Sequence, residues 1–362
     1  MVVMALDHVR EYWSQTPFRP EDLAQTSVLL FFTRWVTHFC APVFVFLCGV
    51  SIAIRFSAGF TANQRNRYLL VRGVMMLVLE VVVVTFLLQF GYNFILLQVI
   101  WVIGWGMVTL ALLQWLPNLP LAIVALLVIV LSPLLPAGET ESVVGTVLAA
   151  THVAPFVKIW GSFVVVFSYP PLPWIAVLWL GFAMGGWVRQ ASPDTDRKLR
   201  TTGWLTLVVF VVVRLLNGYG DPAHWAVHER GWAYTALSFV NVSKYPPSPL
   251  FLCLTLGTAL LVLAYASQWK NGLSTRMAVL GKVPMFYYLI HIFLINASAL
   301  VWVWIAYGRW TIIAFDPANF PPGYQPSLGR TYLVWMVLVV VLYFLCVWWV
   351  NRQKKQATEA DG

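Results

Sequence analysis

The stretch SVLLFFTRWVTHFCAPVFVFLCGVSIAI, residues 27–54, decides the fold. At 1.5 Å per residue a helix of this length reaches about 42 Å, more than the hydrocarbon core of a bilayer. It contains no acid and no lysine. Arg34 and His38 stand alone among long apolar runs, one helical turn apart. Working outward, similar runs recur at about 68–90, 94–116, 119–135, 172–188, 202–218, 248–267, 283–305 and 331–351, with part of another at 1–13. The expected fold class is all-α: a polytopic membrane bundle of about ten helices, the first of them truncated. The stretches 143–150 and 157–168 are apolar but too short to span and read as re-entrant or interfacial.

Composition agrees. Of 362 residues, 60% are hydrophobic and 10% charged, and mean hydropathy is +0.76. A soluble globular chain carries about 25% charged residues, so soluble, disordered and disulfide-framework classes are excluded. The runs lack period-two alternation, which excludes an outer-membrane barrel. The net charge of +9 does not indicate nucleic acid, because the cations lie in alternate short loops. One set holds Arg55, Arg65 and Arg67, then Arg189, Arg197, Lys198 and Arg200, then Lys270, Arg276 and Lys282, then Arg352, Lys354 and Lys355. The positive-inside rule places these, and both termini, in the cytoplasm. The opposite loops are 14–26, 136–170, 219–247 and 306–329. Residues 1–351 read as a single integral-membrane domain and 352–362 as a short cytoplasmic tail. Cys40, Cys48, Cys253 and Cys346 lie in apolar runs and read as packing residues.

Ionisable side chains inside a membrane are expensive and point to function. The candidates are Asp7, His8, Arg34, His38, Arg72, Glu80, Arg214 and His291, with Asn296 as a neutral companion. His38 falls roughly 15 Å from the outer end of its span, and Glu80 and His291 roughly 18 and 12 Å from the inner ends of theirs, close to mid-membrane. Tyr287 and Tyr288 precede His291 by four and three residues and share its side of the helix. Neutral imidazole suits proton transfer near pH 7. The competing reading is a polar clamp in which Arg34 or Arg214 neutralises Glu80. Asp221, His224, His228 and Glu229 offer a weak metal-ligand pattern in an outer loop; no metal is expected. Trp225 in that loop suits a sugar or the interfacial aromatic belt. No phosphate-binding glycine signature exists, so an anionic cofactor would use Arg65, Arg67, Arg72 and Lys282.

One motif repeats. Tyr169-Pro-Pro-Leu-Pro173 leads to Gly181 and Ala183, and Tyr245-Pro-Pro-Ser-Pro249 leads to Gly257 and Ala259 at the same spacing. Proline opens the helix, and the small residues admit a close neighbour. A sharper reading leaves the amides of both helix starts for an anionic or polar ligand.

At these residues the chain resembles the bacterial membrane proteins related to the catalytic domain of heparan-alpha-glucosaminide N-acetyltransferase, within the transmembrane acyltransferase superfamily. The resemblance rests on MALDHVREYW (4–13), FFTRWVTHFCAPVFVFLCG (31–49), YPPLPWIAVLWLGFAMG (169–185), KYPPSPLFLCLTLG (244–257) and LGKVPMFYYLIHIFLI (280–295). It implies acyl transfer across a bilayer: acetyl-CoA as cytoplasmic donor, a glycan or other polar acceptor on the far side, and a bacterial inner membrane location. His8 matches the histidine of the superfamily's first span, whose partner arginine would lie upstream of Met1, which fits a truncated start. The lysosomal enzyme's key histidine falls in the first outer loop, and residues 14–26 hold none. That shifts the expectation to His8 and His38; His291 matches a histidine of the late polar helix. The catalytic expectation is then His8, His38 and His291 with Asp7 and Glu80. Arg34, Arg214, Tyr287, Tyr288, Asn296 and Trp225 are expected to bind substrate. A proton-coupled transporter or acyl-group conduit, and a non-enzymatic membrane scaffold, are the alternatives. A homo-oligomer is compatible with the sequence.

Overall fold

A computed structural model describes residues 1–135, 143–153, 156–160, 163–190, 192–266, 268–269 and 271–361. The helices are α1 (Val2–Trp13), α2 (Val28–Trp35), α3 (Cys40–Phe56), α4 (Ala62–Leu79), α5 (Thr85–Gln89), α6 (Val99–Leu113), α7 (Asn118–Leu131), α8 (Val143–His152), α9 (Pro171–Gln190), α10 (Pro193–Leu216), α11 (Trp232–Val240), α12 (Pro249–Ala266), α13 (Gly272–Lys282), α14 (Pro284–Tyr307) and α15 (Leu328–Asp361). Short strands β1 (Ile95–Leu97), β2 (Phe156–Trp160) and β3 (Phe163–Phe167) form one small sheet in the order β1-β3-β2, with β1 parallel and β2 antiparallel to β3.

The chain is an all-α polytopic membrane bundle. Among the described residues seven helical segments are long and apolar enough to cross a bilayer: Val28–Phe56, Ala62–Gln89, Pro171–Arg189, Asp194–Leu216, Pro249–Ala266, Pro284–Tyr307 and Leu328–Gln356. The expected spans at 1–13, 94–116 and 119–135 are helical but shorter, so the count of ten is not reached by length. The expected span at 94–116 begins later, because Ile95–Leu97 pairs with Val165–Phe167 as a strand. The stretch read as re-entrant at 157–168 contains strands, consistent with its β-branched run of valines. The outer loop 219–247 contains α11. Helix α15 continues to Asp361, through the expected tail. Lys270 and parts of the loop 136–170 lie outside the described residues.

Local chemistry sets the helix ends. Ser27 caps α2, and Thr61 and Gln64 form a reciprocal capping box on α4. Ser192 caps α10 ahead of Pro193 at the first helical position, with Asp194 and Asp196 in its first turn. Asn217 and Gly308 end α10 and α14 in the left-handed region.

Contacts divide the chain into two compact units. The first comprises Met1–Cys40, Leu87–Gly91 and Gln268–Gly362. In it α1 packs against α14 and α15, and α14 packs against α15. The second comprises Ala41–Phe86 and Tyr92–Ser267. Its helix pairs are α10 with α12, α4 with α6, and α7 and α6 with α9. In lipid the hydrophobic effect does not drive helices together, so close van der Waals approach must. Both glycines of the repeated motif supply it. A methyl on Gly181 would overlap the Phe46 carbonyl of α3, and one on Gly257 would lie 3.2 Å from the Gly203 carbonyl of α10. Outward faces such as Val208, Val212 and Leu215 of α10 stay exposed, as lipid-facing positions do.

Gly181→Val is therefore expected to destabilise the second unit by roughly 1–3 kcal/mol, read as a lower unfolding midpoint in detergent. Gly281→Ala, where an added methyl meets nothing within 4 Å, should leave the midpoint unchanged or slightly raised. Equal behaviour of the two variants would contradict the close packing.

Candidate functional site

In the first unit a run of charged and imidazole side chains forms around α1. On that helix Asp7 and Arg10, and His8 and Glu11, are spaced i, i+3 and Asp7 and Glu11 i, i+4, so each pair can meet across a turn. Arg10 Nη2 reaches Asp7 Oδ1 and Glu11 Oε1, each at 3.2 Å. His8 Nδ1 lies 3.3 Å from Glu11 Oε2, an ion-pair distance without hydrogen-bond alignment. From α2, Arg34 donates through Nη1 to Asp7 Oδ2 and through Nε to Glu21 Oε1 at 2.8 Å. The same Glu21 oxygen lies 3.4 Å from His38 Nε2. A continuous series of contacts thus runs His38, Glu21, Arg34, Asp7, Arg10, Glu11, His8. Asp7, Arg10, Arg34 and His38 are all buried. Removing one member of a buried pair strands its partner's charge and typically costs about 3–5 kcal/mol.

Local backbone chemistry sets the position of His38. Pro42 stands four residues later and has no N–H to give the His38 carbonyl. There the helix tightens into a single 3₁₀ turn, Val36–Phe39. His38 thereby occupies an irregular step between α2 and α3.

His291 of α14 joins the other end. Its ring centroid lies 5.3 Å from that of His8. Tyr287 stacks on it at 5.4 Å and Tyr288 flanks it at 5.6 Å. His291 Nδ1 lies 3.0 Å from the Tyr287 carbonyl. A nitrogen facing a carbonyl must carry the proton, so Nε2 holds the lone pair. Nε2 is buried without a hydrogen-bond partner, as is Tyr287 Oη. Asn296 donates to the carbonyls of Leu87 and Leu88 at 2.9 and 3.0 Å and leaves its buried Oδ1 unpaired. Tyr12 Oη donates to the same Leu88 carbonyl at 2.6 Å. An unmatched imidazole acceptor, a phenol and an amide oxygen on one helix are the atoms a polar substrate would satisfy.

Other expected site residues stand elsewhere. Glu80, in the second unit, begins a one-turn π-helix and accepts from the Gln98 amide at 2.8 Å. It serves the N-terminus of α6, a favourable place for a carboxylate, so the arginine clamp on Glu80 is not what the structure builds. Its Oε2 is buried and unpaired. Arg214 donates to the carbonyls of Phe239, Ala223, Ser238 and Asn241 at 2.7–3.1 Å, with Asp221 3.9 Å away. It anchors the segment 217–247. Trp225 donates to the Arg214 carbonyl and packs on Phe239, so it belongs to the same anchor. Asp221 accepts from Ala223, Ser243 and Ser248, and His224 and His228 contact backbone atoms. Among the described residues no group of three potential ligands could hold a metal. The opening amides of α12 are taken: Leu250 bonds Gly220, Phe251 bonds the Ser248 hydroxyl and Leu252 the Ser248 carbonyl. The sharper reading of the repeat fails there.

The cationic set also divides. Arg67 and Arg72 line an open groove on α4 with Phe60, Gln64, Tyr68 and Val71, in the second unit. Arg72 and Arg55 sit over the Tyr68 ring at 6.0 and 4.9 Å, and Arg65 over Phe56 at 5.5 Å. Lys282 closes α13 in the first unit. Sequence reasoning missed Glu21, Arg10 and Glu11. The spacing within Asp7–Glu11 could have revealed the last two. Glu21 sits in a loop, and only the fold brings it to Arg34.

A family model described as heparan-alpha-glucosaminide N-acetyltransferase, catalytic, matches residues 1–219. No curated protein matches the chain. The matched region holds His8, Glu21, Arg34, His38, Glu80 and the arginines of the groove, whereas His291 and its tyrosines lie beyond it.

Glu21 lies outside the membrane-spanning segments. Burial alone would raise its carboxyl, but the Arg34 charge and the His38 hydrogen bond outweigh that and hold it well below the ordinary 4.5. A depressed folded-state value contributes stability above the ordinary value, and that stability is lost as pH falls through the folded one. Wild-type unfolding midpoints in detergent should therefore decline between roughly pH 5 and pH 2. Glu21→Gln should have a lower midpoint at pH 7 and a shallower decline; parallel profiles would refute the pairing.

Proposed function

We propose that this chain, which belongs to the heparan-alpha-glucosaminide N-acetyltransferase catalytic family, is an integral-membrane acyltransferase moving an acetyl group from acetyl-CoA, on the cytoplasmic side, to an amine or hydroxyl of a sugar or other polar acceptor on the outer side. The observation that carries it is the His8–His291 pair, 5.3 Å apart, with an unsatisfied imidazole nitrogen on His291. The cation distribution along the sequence supports cytoplasmic termini, and the resemblance to bacterial membrane proteins supports an inner-membrane location.

The roles follow from the contacts. Glu11 faces His8 Nδ1, and a carboxylate there favours the tautomer whose Nε2 is basic. His8 Nε2 takes the acceptor proton. The acceptor nitrogen or oxygen then bonds the acyl carbon, the thioester C–S bond breaks, and the proton passes to the leaving thiolate. His291 Nε2 holds the acceptor or that proton, kept in one tautomer by Tyr287. Tyr287, Tyr288 and Asn296 line the acceptor position. Asp7 and Arg34 hold α1 against α2, so Arg34 positions the site, and Glu21 and His38 complete the charged series that holds Arg34 in place. Glu80 caps α6, and Arg214 and Trp225 brace the outer segment; they stand outside this catalytic group.

The donor's fit rests on the second unit's groove. Arg67 and Arg72 match its phosphates and the Tyr68 face its adenine, with Arg65 as a further cation of the same unit. When bound, the donor supplies the activated acetyl thioester.

The unbroken series of ionisable contacts also favours a second reading, a proton-coupled transporter or acyl-group conduit. Substrate uptake into proteoliposomes without donor consumption would support it.

In acetyl-CoA turnover by the purified chain, His8→Ala and His291→Ala should each lower kcat by about 10²–10⁴-fold. His38→Ala, at the far end of the charged series, should act more weakly. Full activity in both His8→Ala and His291→Ala would end the assignment. Arg67→Ala and Arg72→Ala should raise KM for acetyl-CoA by roughly tenfold with kcat nearly unchanged; an unaltered KM in the double variant would remove the donor site from this groove.

A further inference from the structure

The second unit buries a cation that the transferase reading does not use. Lys244 is only 7% exposed. Among the described residues its ammonium has neither a carboxylate within 4.0 Å nor a hydrogen-bond acceptor. The nearest acid in sequence, Asp221, is occupied by the Ser243 amide, the Ser248 hydroxyl and the Ala223 amide. What Lys244 does have is two aromatic faces. Its Nζ lies 5.0 Å from the Tyr245 ring centroid and 5.7 Å from that of Tyr169. The two rings meet edge to face at 5.7 Å. These tyrosines are the first residues of the two copies of the repeated motif, so the repeat brings its own openings together around one lysine.

Cation–π contact offsets part of the desolvation of an ammonium, but among the described residues no negative charge compensates it. Location narrows what does. Lys244 precedes the membrane-spanning α12 by five residues and Tyr169 precedes α9 by two, so the cluster lies at the level where span meets interface. Tyr245 is 45% exposed beside it, which leaves the cluster open to a ligand on that side. Lysine with tyrosine at this depth suits a phosphate group, with the ammonium as point charge and the rings against the adjoining carbons.

We propose that Lys244, Tyr169 and Tyr245 form a phosphate-binding site at the membrane interface. The phosphate belongs to an anionic lipid headgroup or to a soluble phosphate. This site is separate from the His8–His291 pair and does not depend on the acyl-transfer reading.

The test uses the full chain in nanodiscs of 1:1 phosphatidylglycerol and phosphatidylcholine, followed by native mass spectrometry of retained lipid. In parallel, inorganic phosphate is titrated in detergent while the unfolding midpoint is followed. A lipid source predicts a retained phosphatidylglycerol adduct, at least tenfold less occupied in Lys244→Gln and preserved in Lys244→Arg. A soluble source predicts a phosphate-dependent rise in midpoint that Lys244→Gln abolishes. Tyr245→Ser, at an exposed position, should weaken whichever signal appears by several-fold, and it carries the test if Lys244→Gln does not fold. Retention and midpoints that are the same in wild type and in the folded variants would overturn the proposal.

Discussion

A charge surrounded by protein and lipid must meet an opposite charge or a set of aligned dipoles, because water is not there to solvate it. This chain uses both solutions, one in each unit. Arg34 is matched by two carboxylates, Asp7 and Glu21. Arg214 is matched chiefly by four backbone carbonyls. The difference separates two kinds of site. Carbonyls at the end of a helix and in a loop make a fixed brace. Carboxylates next to imidazoles make a group whose protonation state can change, and chemistry needs that.

The placement of His38 and His291 shows how backbone detail prepares side-chain chemistry. Pro42 withholds one amide, and the helix responds with a 3₁₀ turn at His38. In α14 the Tyr287 carbonyl lies by His291 Nδ1 and thereby selects the tautomer. Neither effect needs a partner of opposite charge. Each leaves an imidazole in a defined orientation inside the first unit. Burial on all sides makes the orphan Nε2 of His291 significant, since a solvent-exposed nitrogen would simply bind water.

The repeated motif does two jobs through two physical effects. Its glycines bring helices to backbone contact, Gly181 against α3 and Gly257 against α10. Its tyrosines meet each other at the opposite end of the motif. A repeat that acts at both ends sets the spacing of α9 and α12 in the second unit without any long-range polar contact.

The membrane class, the helix positions near 27–54, 68–90, 172–188, 202–218, 248–267, 283–305 and 331–351, and the short list of buried ionisable residues were legible in the sequence, because hydropathy and helical period are local properties. His8, His38 and His291 were legible as candidates for the same reason, since each breaks an apolar run. Their partners were not. Glu21 reads as an ordinary loop acid until the fold sets it against Arg34, and the Gln98 amide that Glu80 accepts from is likewise supplied only by the fold. The strands within 94–116 and 157–168 escaped detection because a short apolar run has no period to separate strand from helix. Sequence by itself determined which groups could not face lipid; only the tertiary structure decided which group satisfies which, because pairing depends on distances between residues hundreds of positions apart, such as His8 and His291, 283 apart.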